Sequence, residues 1–184
     1  FGEISQQIAD IYDKLTFAKG KIEIEKNKLY SHLNALNEGI AFFTPDKKKI
    51  LRNNHFIQYL NVISDETNIS EEQLFQVKEF AKLNEFLESH LDEDVVINQN
   101  KLPHLEESMY KDKRAFNIHA IIFSDKTFEV VIRDVTKIEK QKKMKEEMTS
   151  NIAHELKAPI TIILGYLELL KENHLDSEIR NKYI

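Results

Sequence analysis

The chain has 184 residues, with 26 Lys and Arg against 31 Asp and Glu for a formal charge of −5, and such a length holds one full domain plus extensions. It has no cysteine, which excludes disulfides, thiolate metal sites and a cysteine nucleophile, and its net acidity argues against a nucleic-acid binder. Hydrophobic residues make up 41%, and 4 Gly and 3 Pro leave room for long uninterrupted helices. No run approaches the roughly 18–20 apolar residues of a membrane-spanning helix and no basic-then-apolar leader opens the chain, so the sequence as given reads as soluble.

The first stretch places Ile4, Ile8, Ile11, Leu15, Ala18, Ile22, Leu29 and Leu36 mostly in steps of four and three. That is a heptad seam, and it predicts a helix over residues 1–36 that pairs with a copy of itself or packs on the next domain. Glu25 interrupts the seam and Gly20 weakens the helix.

From Gly39 the period changes to that of strands. Residues 39–44 and 49–54 read as two strands around a Pro45-Asp46 turn. His55, Phe56, Tyr59, Leu60 and Ile63 follow helical spacing. Ser70 with Glu71 and Glu72 marks a helix start, and residues 71–92 read as two short helices. Strands over 104–110, 115–123 and 127–133 are separated by the compact polar turns Lys111-Asp112-Lys113 and Ser124-Asp125-Lys126. The order predicts an α+β domain over 37–136, with an antiparallel five-stranded sheet, short helices, and Phe42, Phe43, Phe116 and Phe128 in its core.

A last helix starts at Thr136, where Thr136 and Glu139 are spaced as a capping box. Its apolar stripe is Ile138, Met144, Met148, Ile152, Leu156, Pro159, Ile163, Leu167 and Leu170. Asn173 onward reads as a turn, with Asp176-Ser177-Glu178 starting an opposing helix. The basic run Lys137, Lys140, Lys142, Lys143 and Lys145 is interleaved with Glu139, Glu146 and Glu147, so a salt-bridged helix face is expected in preference to a lipid or nucleic-acid site.

Within that helix, His154 points away from the apolar stripe. Glu155 beside it supplies a carboxylate able to hold a proton on one ring nitrogen while the other reacts. Pro159, inside the helix, removes the amide partner of the Glu155 carbonyl, costs about 3 kcal/mol and predicts a bend beside the histidine. A His-Glu-x-x-His zinc site would need histidine at Ala158, so no metal of that kind is expected.

The segment His154-Glu155-Leu156-Lys157-Ala158-Pro159, preceded by Asn151-Ile152-Ala153 and followed by Gly165-Tyr166-Leu167, resembles the phosphoacceptor box of sensor histidine kinases. The domain before it is similar to a PAS sensor domain, and Asp134-Val135-Thr136 resembles the Asp-x-Thr exit joining PAS to its signalling helix. The resemblance implies that His154 takes the γ-phosphoryl group of ATP with Glu155 as acid/base partner. It implies transfer onward to an aspartate of a response-regulator receiver domain. Pro159 would be the bend between active and inactive forms, and Thr161, Gly165 and Tyr166 would dock the regulator. The family's dimer is a four-helix bundle, two helices from each chain, which makes residues 137–184 the dimerisation and phosphoacceptor region, expected to hold the first helix and the start of the second. ATP and Mg2+ belong to the family's ATP-binding domain, for which these residues show no counterpart, so the stretch is expected to be inactive alone. The family usually has Thr or Asn where this chain has Ala158, and a methyl group cannot place a hydrolytic water, so weak phosphatase activity is expected.

Among His55, His90, His104 and His119 nothing singles out a haem ligand, and the PAS ligand is unidentified. The expected setting is the cytoplasmic portion of a protein anchored in the cell membrane. The alternative is a non-enzymatic PAS dimerisation module whose helical arms only transmit a signal.

Overall fold

The structure is a computed structural model and describes residues 2–182, with side-chain surroundings through Lys171. The chain divides after Thr136 into two units.

The first unit opens with α1 (Gly2–Ala35), continuous through Gly20. Strands β1 (Glu38–Phe43) and β2 (Lys49–Arg52) form a hairpin. In its turn the Thr44 hydroxyl accepts from the Lys48 amide, and Lys47 takes a positive φ. Helix α2 (Asn54–Ser64) follows, then two short 3-10 turns, Glu71–Gln76 and Lys78–Phe80, and α3 (Ala81–Leu91). The two short helices expected over 71–92 are thus one α-helix preceded by 3-10 turns. At the first turn the Gln73 side chain accepts from the Ser70 amide. Strands β3 (His104–Lys111), β4 (Arg114–Ile122) and β5 (Phe128–Asp134) complete an antiparallel sheet in the order β2-β1-β5-β4-β3. This is the expected α+β domain, a five-stranded antiparallel sheet with short helices, and long helices flank it at both ends.

The period-2 alternation of strands decides which side chains form the core. Ala41 and Phe43 of β1, Phe116, Ile118, Ala120 and Ile122 of β4, and Phe128, Val130 and Ile132 of β5 all face inward. They meet Phe56, Leu60 and Ile63 of α2, Leu74, Phe80, and Leu83 and Leu87 of α3. Phe43 stacks on Phe128 at 5.3 Å between ring centroids and takes the edge of Phe75 at 5.1 Å; burying each such ring is worth about 1.5–3 kcal/mol. Phe42, expected in this core, lies half-buried on the opposite sheet face and stacks on Phe123, since it alternates with Ala41 and Phe43.

Two contacts hold the hairpin to its surroundings. Gly39 lies so close to α2 that a Cβ there would come within 2.7 Å of the Phe56 Cα. Buried Glu71 accepts from Arg52 Nε at 2.6 Å and from Lys49 Nζ at 3.3 Å, tying the first 3-10 turn to edge strand β2.

The second unit is α4 (Thr136–Lys182), 47 residues long. The turn and opposing helix expected from Asn173 are absent: the helix runs on, because no Gly or Pro falls between Asn173 and Lys182 to end it. The capping box is replaced as well. Thr136 N–H donates to Asp134 Oδ1 at 3.0 Å, so the cap on the first turn is the Asp134 carboxylate and Glu139 is not needed. Among the described residues no helix is long and apolar enough to cross a membrane.

Candidate functional site

His154 sits on α4 with its side chain exposed, as do the other described side chains from Lys140 to Lys171 apart from half-buried Gly165. At about 100° per residue, Ala158, Thr161 and Gly165 fall within roughly 40° of His154, forming one polar, small-residue face, while Ile152, Leu156 and Ile163 lie opposite. Tyr166, one residue past Gly165, is turned off that face by about 100°.

Glu155 is adjacent in sequence but about a quarter-turn away, and neighbouring helix positions do not face each other. Among the described residues no hydrogen bond joins Glu155 to His154. The helix passes through Pro159 without a break. Two residues on, the Thr161 hydroxyl donates to the Lys157 carbonyl at 2.8 Å, adding a side-chain bond next to the position where proline removes a backbone one. The expected salt bridges between the lysines of residues 137–145 and the interleaved glutamates are not formed among the described residues. Fully solvated pairs of that kind contribute little in any case.

Two polar junctions control how the helices enter and leave the sheet. At the exit, Arg114 of β4 grips the Asp134 carboxylate through Nε at 3.1 Å and through its terminal nitrogen. The same carboxylate accepts from the Thr136 amide and hydroxyl, and that hydroxyl in turn accepts from the Ala115 amide at 2.9 Å. Partial burial alone would push the Asp134 pKa up, but the bonds from Thr136 and Arg114 outweigh it and hold the carboxyl below its ordinary value. The Asp-x-Thr pattern was visible in the sequence, whereas Arg114 was not, because its link to Asp134 arises only from strand pairing.

At the entry, Asn53 is completely buried. Its Oδ1 accepts from the amides of Ile40 at 2.9 Å and Phe56 at 3.1 Å, and its Nδ2 donates to the carbonyls of Leu33 at 2.8 Å and Glu38 at 2.6 Å. One amide therefore caps α2 and fastens the end of α1 to β1. Asn34 reinforces this by accepting from the Asn54 amide, and the Tyr59 hydroxyl donates to the Asn37 carbonyl. Asparagine directly before a helical run is an N-cap signal, and that signal could have located Asn53.

Residues 144–184 match the model of the His Kinase A phospho-acceptor domain. The chain is 30% identical over 66 residues to the phosphate regulon sensor protein PhoR of Pseudomonas aeruginosa, covering 36% of this chain and 15% of that protein. It is 26% identical over 176 residues to the sensor histidine kinase WalK of Bacillus subtilis, covering 93% of this chain and 27% of that protein. Among solved structures, the PAS domain of an HTR-like protein from Haloarcula marismortui superimposes with a TM-score of 0.40 at 13% identity, covering 65% of this chain and 98% of that one. The chain thus spans between 15% and 27% of the length of these two curated relatives. A five-stranded antiparallel sheet thus precedes a segment that matches the His Kinase A phospho-acceptor domain. Over these residues the chain is similar to sensor histidine kinases.

Proposed function

We propose that His154 is the phosphoacceptor of a protein-histidine kinase and that residues 37–136 sense the signal governing its phosphorylation. The observation that supports this most is the His Kinase A match over residues 144–184, which contains His154 on an exposed helix face. A ring nitrogen of His154 attacks the γ-phosphorus of ATP, the bond to the ADP oxygen breaks, and a phosphorus–nitrogen bond forms. The proton on the other ring nitrogen passes to Glu155, which reaches the imidazole by a rotamer change. An ATP-binding domain of the same protein supplies ATP and its Mg2+. The phosphoryl group then moves to an aspartate of a response-regulator receiver domain, which docks on the face carrying Thr161 and Gly165 with Tyr166 at its margin.

The chain acts as a homodimer. The uncovered stripe of α4 (Met148, Ile152, Leu156, Ile163, Leu167) would be buried in a helical bundle with a second copy. Pro159 marks where the helix bends between active and inactive forms. Residues 1–36 form the input helix, and the whole is the cytoplasmic portion of a membrane-anchored protein.

The test is to incubate this chain with the kinase's separate ATP-binding domain and γ-labelled ATP. Acid-labile label on the chain, lost in His154→Ala and absent without the added domain, is the expected result. Label that persists in His154→Ala, or none on the wild-type chain, overturns the reading.

A further inference from the structure

We infer that the cleft between the last turns of α1 and edge strand β2 is a binding site for a small organic anion, one with a carboxylate or phosphate head and a short apolar body. This goes beyond the phosphoacceptor reading and does not depend on it.

The cleft holds about 240 Å³ and is lined by Tyr30 and Asn34 of α1, Lys49 and Arg52 of β2, and Asn54 at the start of α2, with Ile50 of β2 beside them. That is just below the roughly 300–1,000 Å³ of sites for drug-sized ligands, so its occupant is small. No acidic side chain is in this lining.

A relay of hydrogen bonds fixes the polar part of the lining before any ligand arrives. Buried Glu71 accepts from Arg52 Nε at 2.6 Å, Arg52 Nη1 donates to Asn54 Oδ1 at 3.1 Å, and the Asn54 backbone amide donates to Asn34 Oδ1 at 2.8 Å. Both carboxamide oxygens are thereby spent within the protein. The Nδ2 groups of Asn34 and Asn54 have no partner among the described residues, and neither has the Tyr30 hydroxyl. Arg52 uses two of its five N–H groups in these bonds, and Lys49 Nζ makes one bond, to Glu71 at 3.3 Å. What remains is a set of donors held in place, with no carboxamide oxygen of the lining left to satisfy them. A ligand rich in acceptors matches that set, and charge-assisted bonds from Arg52 and Lys49 favour an anion. Because the donors are fixed in advance, little ordering is needed on binding.

The nearby carboxylates do not cancel this preference. Glu71 is shared by Lys49 and Arg52, so two cations stand against one buried acid. Glu72 takes the Lys49 backbone amide at 3.2 Å but is itself exposed, and water and salt screen an exposed charge. Asn54 opens α2, whose positive dipole end adds to the same field. An inorganic ion would leave Ile50 uncovered. That side chain is 48% exposed, and with the half-buried Tyr30 ring it offers apolar surface to an organic body. Since Tyr30 and Asn34 belong to α1 and Arg52 to the sheet, an occupant bridges the two and holds the last turns of α1 against β2.

The test is an NMR titration of the isotope-labelled chain at neutral pH, read at the side-chain amide signals of Asn34 and Asn54. Benzoate and phenyl phosphate supply the two head groups on one ring, benzyl alcohol is the neutral control, and inorganic phosphate is the head without a body. Both aromatic anions should shift these signals saturably, with dissociation constants of about 1 mM or below, and the tighter of the two identifies the head group. Benzyl alcohol and inorganic phosphate should each bind about tenfold more weakly. Asn34→Asp keeps the oxygen that accepts from the Asn54 amide but replaces the free N–H donors with a charged oxygen, and should weaken anion binding about tenfold. Lys49→Gln, which leaves Arg52 on Glu71, should weaken it several-fold. Glu71→Gln keeps an oxygen for Arg52 Nε while releasing both cations from their shared charge, and should tighten binding several-fold, which a merely loosened fold would not do. Absence of a saturable shift with either aromatic anion overturns the inference. So does equal binding of benzyl alcohol or inorganic phosphate, unchanged affinity in both Asn34→Asp and Lys49→Gln, or binding weakened by Glu71→Gln.

Discussion

The side-chain amide of Asn53 donates to the carbonyl of Leu33 at 2.8 Å, so the last turn of α1 is fastened to the same residue that caps α2. Four hydrogen bonds converge on this one buried side chain. Removing it in Asn53→Ala leaves two amides and two carbonyls in search of partners. Each buried group left unsatisfied costs about 1–3 kcal/mol, and partial access to water at the Leu33 end softens the total to about 3–4 kcal/mol. At about 4–8 °C per kcal/mol for a domain of this size, the melting temperature should fall by well over ten degrees. Hydrogen exchange would localise the effect, with the Phe56 amide losing its protection first. A variant that melts within two or three degrees of the natural chain would mean that the amide is not the fastening.

Gly39 is required for a different reason. Its backbone has no unusual φ, but an added Cβ would come within 2.9 Å of the Phe56 amide nitrogen and closer still to its Cα. Backbone atoms cannot swing aside as a side chain can. Gly39→Ala must therefore push α2 off β1 and disturb the Asn53 cap at Phe56. We expect a loss of about 2–4 kcal/mol, in the range of core overpacking, measured by urea denaturation. Retention of full stability would show that α2 can shift without cost.

Three carboxylates give the stability of this domain a pH dependence of mixed sign. For Glu71, burial pushes the pKa up, but bonds from Arg52 and Lys49 outweigh it and leave it below the ordinary value, as at Asp134. A carboxyl whose pKa is lowered by folding stabilises the fold above its unfolded pKa, and that contribution is lost as the pH falls through the folded one. Glu71→Gln should therefore cost about 1–2 kcal/mol at pH 7 and become nearly neutral well below pH 4. Glu129 has the opposite sign. Burial and the nearby Glu38 carboxylate raise its pKa against the pull of Arg133, so its contribution is greatest in acid and is lost as the pH rises. Glu129→Gln should stabilise the domain by about 0.5 kcal/mol at neutral pH, a gain that fades on acidification. Parallel pH–melting profiles of the two variants would check both signs, and a destabilised Glu129→Gln at pH 7 would contradict the second.

The parts legible in the sequence were those written in local pattern. The strand alternation of Phe116, Ile118, Ala120 and Ile122, the heptads of α1 and the segment around His154 each show their character within a few residues. Residues whose role comes from distant partners were not legible. Asn53 bonds to Leu33 twenty positions away, and Arg114 reaches Asp134 only because β4 lies beside β5. The misread turn at Asn173 has another cause: Asn, Asp and Ser are frequent at helix starts but also tolerated inside helices, so a start signal by itself does not break a helix. For the site, the face shared by His154, Ala158, Thr161 and Gly165 follows from spacing, and so does the quarter-turn that separates Glu155 from His154.

Ala158 lies one turn beyond His154 on the same exposed face. A methyl group offers no hydrogen bond to water, so this position cannot orient a nucleophilic water towards a phosphorylated aspartate docked at the histidine. In the proposed transfer from ATP that water has no part, because the nucleophile there would be the imidazole itself. The two activities should therefore separate. The full-length protein is expected to phosphorylate its regulator while dephosphorylating it slowly. Ala158→Thr, which introduces a hydroxyl without removing helix capacity beyond about 0.5 kcal/mol, should raise phosphatase activity by about tenfold or more, the scale of a single well-placed polar group in catalysis. The measurement is loss of label from purified phospho-regulator in the presence of kinase and ADP. Rapid dephosphorylation by the natural chain that Ala158→Thr leaves unchanged would show that the hydrolytic water is held elsewhere.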